Sequence, residues 1–150
     1  MTKIRRACLE DLDWLVDQAE EFSKFFGSKK SLFPDRDFAR NGLKSLIDNN
    51  HILLVALKDD LPVGFIGGYF TPHPFNPSIR TLVETFWWVI PEARGGSAGF
   101  RLLQNFVELG KEEKADWIVV SLEAHSPVNP DVLESRGFKL QERSFLMEVS

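Results

Sequence analysis

The chain has a single cysteine, Cys8, among its 150 residues. That excludes an internal disulfide framework and a cysteine-rich zinc site, and it fits a reducing, cytoplasmic compartment. Histidine is scarce as well. His51, His73 and His125 have no His-x-x-x-His spacing, so no metal site is expected. Long apolar runs are missing: the strongest, 51–57 and 86–90, fall far short of the ~20 residues that a membrane helix needs. Glu10, Asp11 and Asp13 follow Lys3, Arg5 and Arg6 and interrupt any signal-peptide core. Basic charge is not in excess. Lysine and arginine total 18 against 22 acids, a net charge of −4, which argues against a general nucleic-acid binder. No repeat, low-complexity tract or linker is visible.

What is present is globular. Hydrophobic residues make up 43%, aromatics 12% and charged residues 27%. The length fits one domain over 1–150. A chain of this size hides roughly 68–70% of its unfolded surface and needs no staples.

Residues 3–8 read as a first strand. Leu12, Leu15, Val16, Ala19, Phe22 and Phe26 then form one helical stripe. Gly27-Ser28 breaks it, and Asp35 is placed to cap a second helix over 37–47. Residues 51–58 and 63–70 read as strands joined by a turn at Asp59-Asp60-Leu61-Pro62. Gly64, Gly67 and Gly68 suggest a bulge or close backbone approach. Pro72, Pro74 and Pro77 predict a loop over 71–78 that leaves the sheet. The strongest strand pattern is 81–90. A helix over 97–114, a strand over 117–122, a short helix over 129–135 and a last strand over 139–149 follow. Antiparallel strands succeeded by βαβ units predict an α/β (α+β mixed) fold. It would have a mixed, mostly antiparallel sheet with helices on both faces. Cys8 reads as a small buried hydrophobe.

The segment between the strongest strand and the strongest helix carries the chemistry. In Arg94-Gly95-Gly96-Ser97-Ala98-Gly99, small residues let a ligand approach the backbone. The amides lie at a helix N-terminus, where N–H groups and the dipole favour an anion. Arg94 adds a charge and a bidentate donor. A phosphate or pyrophosphate suits this turn. The Walker loop fails because no Lys-Ser/Thr follows the glycines, and the Gly-x-Gly-x-x-Gly fingerprint fails on spacing. The same residues also match Gly-x-Ser-x-Gly, the nucleophile elbow of serine hydrolases, with Asp116 and His125 following in triad order. That alternative makes Ser97 a nucleophile.

Downstream, Asn129-Pro130-Asp131-Val132-Leu133-Glu134-Ser135-Arg136-Gly137-Phe138 sets an asparagine before a short helix ending in Gly-Phe. With the first motif this resembles the GNAT superfamily of acyl-CoA N-acyltransferases. Their signature is Arg/Gln-x-x-Gly-x-Gly/Ala opening a helix after a central strand. Arg94 and Gly99 match it, and Ser97 stands where the family has its middle glycine. The Gly-Gly-Ser form is similar to that of small, phage-associated members. The resemblance implies a GNAT-like fold with a gap between the fourth and fifth strands that holds acetyl-CoA. It implies that the amides of Arg94, Gly95, Gly96, Ser97, Ala98 and Gly99 cradle the pyrophosphate. Backbone of Trp88, Val89 and Ile90 would pair with the pantetheine arm, an N–H near Val89 would polarise the thioester, and Asn129 would hydrogen-bond the cofactor. The activity implied is acetyl transfer to a primary amine in a ternary complex.

Amine acylation needs a base. Glu84 lies in an apolar strand, where burial raises a carboxyl pKa, and alternation groups it with Leu82, Phe86 and Trp88. Family members commonly carry a glutamate near this place. Their general acid, a tyrosine before the Gly-Phe, is replaced here by Leu133, and the only tyrosine is Tyr69. The leaving thiolate then departs unassisted or takes a proton from Ser126, His125 or water. The missing tyrosine also leaves open a module that binds acyl-CoA without turnover. The expected acceptor-side loops are 23–36 and 71–80. An exposed Phe75 and an unprotected last strand favour a homodimer.

Overall fold

The apolar run after His51 becomes the middle of a sheet. In a computed structural model, which describes residues 1–149, five strands lie in the order of the chain. They are β1 (Thr2–Arg6), β2 (Ile52–Lys58), β3 (Leu61–His73), β4 (Asn76–Val89) and β5 (Trp117–Val119). The first four are antiparallel, and β5 joins β4 in parallel. Asp59 and Asp60 close the β2–β3 hairpin with φ of 51° and 66°. Positive φ at both central residues matches the right-handed twist of the strands, and aspartate tolerates it.

Helices cover both faces, as the sequence predicts. On one face lie α1 (Leu12–Ser23) and α2 (Arg36–Asp48). Leu12, Leu15, Val16 and Leu43 pack there on Leu53, Val55, Phe65 and Trp88. Asp35 caps α2, its Oδ1 accepting the Asp37 and Phe38 N–H groups at 2.9 and 3.2 Å. On the other face, α3 (Ala98–Glu112) buries Ala98, Leu102, Leu103 and Phe106 on Ile52, Leu54, Ile66 and Leu82. The short α4 (Pro130–Glu134) sets Leu133 and Phe138 against this second core. It closes as expected at Gly137 (φ 95°), with the Phe138 N–H bonded to the Leu133 carbonyl at 3.1 Å.

Four expectations are overturned. Residues 71–78 do not leave the sheet. β3 and β4 continue as a two-stranded ribbon in which Pro72 faces Arg80 and only the tip at Pro74 and Phe75 turns. The prolines are tolerated because β2 pairs β3 no further than Gly68, and β5 meets β4 only from Thr81. Pro72 and Pro77 thus sit on strands with a neighbour on one side only, where a missing donor costs no ladder bond, and Pro74 lies in the turn. The strand at 117–122 stops at Val119. Residues 139–149 form no strand, and Phe145 and Leu146 are exposed. Apolar spacing selects a face, but a strand also needs a ladder partner. This segment is tied instead to a loop, through the Glu148 carboxylate and the Lys29 N–H at 3.1 Å. Cys8 is exposed. Its N–H and thiol both turn to the Asp11 carboxylate, which also pairs with Arg5.

The glycines of β3 are packing requirements. A Cβ on Gly68 would lie 2.5 Å from the Val83 carbonyl oxygen and 2.8 Å from the Phe106 ring. We expect Gly68→Ala to lower stability by about 1–3 kcal/mol. A urea midpoint shift with unchanged slope would show it, and an unchanged midpoint would contradict it.

Candidate active site

β4 and β5 run together for three residue pairs only, Thr81–Trp117, Leu82–Ile118 and Val83–Val119. β4 then continues for six residues to Val89 with no strand beside it on that edge among the described residues. The Ile90 N–H bonds the Val63 carbonyl at 2.9 Å, which makes Val89–Gly64 a non-hydrogen-bonded pair. The Val89 N–H and C=O therefore face away from β3, into the gap where the strands part.

Glu84 stands at the apex of this gap. It is 7% exposed, and its Oε1 accepts the Ser121 N–H at 3.0 Å. Burial raises its carboxyl to about 7, and the Ser121 N–H, which favours the charged form, pulls in the opposite direction.

Between Glu84 and Phe86 the register slips: Glu84 faces Gly68 and Phe86 faces Gly67. Thr85 is the extra residue of a bulge. This corrects the grouping by alternation. Leu82 and Glu84 lie on the α3 face, but past the bulge Phe86 and Trp88 turn to the α1 face. Trp87 and Val89 take over the α3 face. Trp87 donates its indole N–H to the Gly99 carbonyl at 3.0 Å and pins the start of α3 to β4. Trp88 donates its own to Gln18 Oε1 at 3.0 Å.

The turn after β4 begins with a 3₁₀ turn at Pro91–Ala93. Gly95 has φ of 89°, a conformation that favours glycine. Ser97 caps α3 without a side-chain bond, and the first intrahelical bond runs from the Arg101 N–H to the Ser97 carbonyl. The amides of the first turn precede it and have no helical acceptor. Arg94 folds back on β4. Its Nε donates to the Val89 carbonyl at 3.0 Å, and its guanidinium lies 4.7 Å from the Trp88 ring centre. It thus occupies one of the two Val89 groups that face the gap.

The other predicted residues are engaged locally. Asn129 caps α4, its Oδ1 accepting the Asp131 N–H at 2.9 Å. Ser126 Oγ accepts the Val128 N–H at 3.1 Å, and no hydrogen bond links it to Glu84 among the described residues. His125 is exposed. Asp116 exchanges hydrogen bonds with the Arg80 backbone at the far end of β4. Arg80 and Val89 are nine strand steps apart, about 30 Å at ~3.4 Å per residue, so Asp116 cannot complete a triad with Ser97. Among the described residues no group of three His, Cys, Asp or Glu could hold a metal ion.

Residues 12–138 match the family model described as the acetyltransferase (GNAT) family. The chain belongs to that family. No curated protein matches it in sequence. Among solved structures it is similar to a probable acetyltransferase at 26% identity and TM-score 0.77, over 99% of this chain and 98% of that one. A transcriptional regulator from Bacillus halodurans gives 22% identity and TM-score 0.79, over 99% and 100%. A predicted acetyltransferase from Clostridium acetobutylicum, solved with acetyl-CoA, gives 18% and 0.76, over 99% and 96%. The GNAT fold and the expected gap between the fourth and fifth strands are therefore both present here.

Sequence reasoning missed Gln18, Thr85 and Ser121. The helical stripe assigned Phe22 and Phe26 to the core, and nothing in one sequence marks Thr85 as a bulge.

Glu84 links the site to stability. Its native value of about 7 lies above its ordinary 4.5. The native state therefore holds the extra proton between those values, and stability falls as pH rises across the window, then levels off. At ~1.4 kcal/mol per unit the loss is about 3 kcal/mol. Glu84→Gln should remove this slope, so from pH 5 to 8 the wild-type Tm should fall more than the variant's. Parallel Tm profiles would contradict a buried, raised carboxyl.

Proposed function

We propose that the chain is an acetyl-CoA-dependent N-acetyltransferase acting on a primary amine by direct attack in a ternary complex. The observation that carries the reading is the unpaired edge of β4, which runs from a buried carboxyl at Glu84 to the open amides of α3. Acetyl-CoA is a substrate whose parts fit this set of donors. The first-turn amides of α3, with Gly95, Gly96 and Ser97 before them, suit a pyrophosphate. The Val89 N–H faces the gap as a donor for an amide or a thioester carbonyl. Arg94 uses only its Nε on Val89, so its two Nη groups remain for a phosphate.

In the proposed reaction Glu84 takes a proton from the ammonium form of the acceptor through water. The free amine then forms a C–N bond at the thioester carbonyl, and the Val89 N–H stabilises the oxyanion. The attacking nitrogen gives up its second proton to water, the C–S bond breaks and the thiolate leaves. Leu133 packs into the core where the family's tyrosine acid would stand. The thiolate leaves as an anion, since a thiol pKa near about 8.5 makes it a competent leaving group without an acid. Asn129 contributes through its Nδ2, because its Oδ1 caps α4.

Three variants test the reading. Gly96→Asp adds a carboxylate where a side chain meets nothing closer than the Ala93 carbonyl oxygen at 3.6 Å. The fold should tolerate it, and calorimetry should show acetyl-CoA affinity reduced about tenfold or more by like-charge repulsion. Wild type that binds no acetyl-CoA would end the reading. Glu84→Gln should lower kcat by ~10²-fold or more with acetyl-CoA affinity retained. In wild type kcat should rise with pH through about 7, the pKa of Glu84, and this limb should vanish in the variant. Ser126→Ala should leave kcat within about threefold; a tenfold drop would give Ser126 the role of acid.

A further inference from the structure

A second concavity opens beside the bulge, on the α1 face. Phe65 and Phe86 form its floor, with ring centres 5.2 Å apart. Phe22 and Phe26 wall one side and Leu32 and Phe33 the other. Its volume is about 190 Å³. Thr85 lies at its rim, so the cavity adjoins the strand where Glu84 sits on the opposite face. Among the described residues Ser23 and Thr85 are its only polar lining residues, and no charged side chain lines it. Phe26 is 41% and Leu32 50% exposed, so the cavity has a mouth. The loop that carries Leu32 is braced by the Glu148 carboxylate on the Lys29 N–H.

We infer that this cavity receives the apolar group of the acceptor, and that the acceptor is a primary amine carrying one aryl or branched alkyl substituent. The inference rests on the acetyltransferase reading and adds the class of amine. Size supports it. An apolar cavity of about 150 Å³ takes one benzene ring, so 190 Å³ fits a phenyl group with a short tether. Chemistry supports it too. A polyamine or a hydroxylated amine would leave its charges or hydroxyls unpaired against phenylalanine walls, which costs more than it gains. Position supports it last. Thr85 lines the cavity and is the chain neighbour of Glu84 on β4, so a ring seated there holds a tethered nitrogen close to the strand that carries the base. Of the two loops expected to line the acceptor side, 23–36 contributes to this cavity. The 71–80 ribbon lies at the other end of β4.

The test compares phenethylamine, isoamylamine, ethanolamine and spermidine as acceptors with acetyl-CoA, read as kcat/KM from released CoA. Phenethylamine and isoamylamine should exceed ethanolamine and spermidine by about tenfold or more. Leu32→Asp, at an exposed position the fold should tolerate, should collapse that ratio by about tenfold. Equal rates, or a preference for spermidine or ethanolamine, overturn the inference and leave the acetyltransferase reading intact. So does a preference for hexanoyl-CoA over acetyl-CoA that Leu32→Asp abolishes, because the cavity would then hold the acyl chain. If acetyl-CoA binds but no amine turns over, phenethylamine binding by ligand-observed NMR decides. Binding that Leu32→Asp removes supports the cavity, and no binding overturns it. If acetyl-CoA does not bind at all, the acetyltransferase reading fails, and the same NMR experiment still judges the cavity.

Discussion

Two parallel strands that part leave backbone donors and acceptors without partners. A buried backbone group cannot remain so at low cost. Here β5 abandons β4 after Val119, and the next donor in reach, the Ser121 N–H, is taken by Glu84. One side chain therefore substitutes for a missing ladder partner and ends up buried at the apex of the gap. Burial then raises its carboxyl to about 7. The same separation leaves the Val89 amide and carbonyl facing open space. The residue that ends the ladder is thus the residue whose carboxyl burial raises.

The bulge at Thr85 decides which side chains share a face. Without it, Glu84, Phe86 and Trp88 would crowd one side of the sheet. With it, Glu84 stays with Leu82 beneath α3, while Phe86 and Trp88 join Phe65 beneath α1, on the side of its Gln18 and Phe22. The sheet thus separates two environments. The α3 side offers amides and the buried carboxyl. The α1 side offers a cavity lined mostly by aromatic side chains. Trp87 and Trp88 anchor the two sides by indole N–H bonds to Gly99 and Gln18, which fixes both against the same strand.

The β3 glycines hold the sheet close enough for this arrangement. A side chain on Gly64 would meet the Trp88 carbonyl oxygen at 2.8 Å, and one on Gly67 would enter the Phe86 ring. Each glycine therefore allows β4 to lie where its functional groups face the gap and the cavity.

Much of the fold could be read from the residues, because local patterns report local physics. The stripe from Leu12 to Phe26, the Asp35 cap, the Asp59–Asp60 turn and the Gly137 stop all depend on neighbours within a few positions. The turn at Gly95–Gly99 and the carboxyl at Glu84 were also visible, since small residues before a helix and an acid in an apolar strand are one-dimensional signals. The rest depended on partners distant in sequence. Whether prolines 72 and 77 break a strand depends on which edges β2 and β5 cover. Whether residues 139–149 form a strand depends on a free edge at the right place. The face of Phe86, the guanidinium of Arg94 on Val89 and the aromatic cavity beside Thr85 follow from a register slip of one residue. A single sequence carries the residue types for that slip but not the pairing that produces it, so only the tertiary structure could decide it.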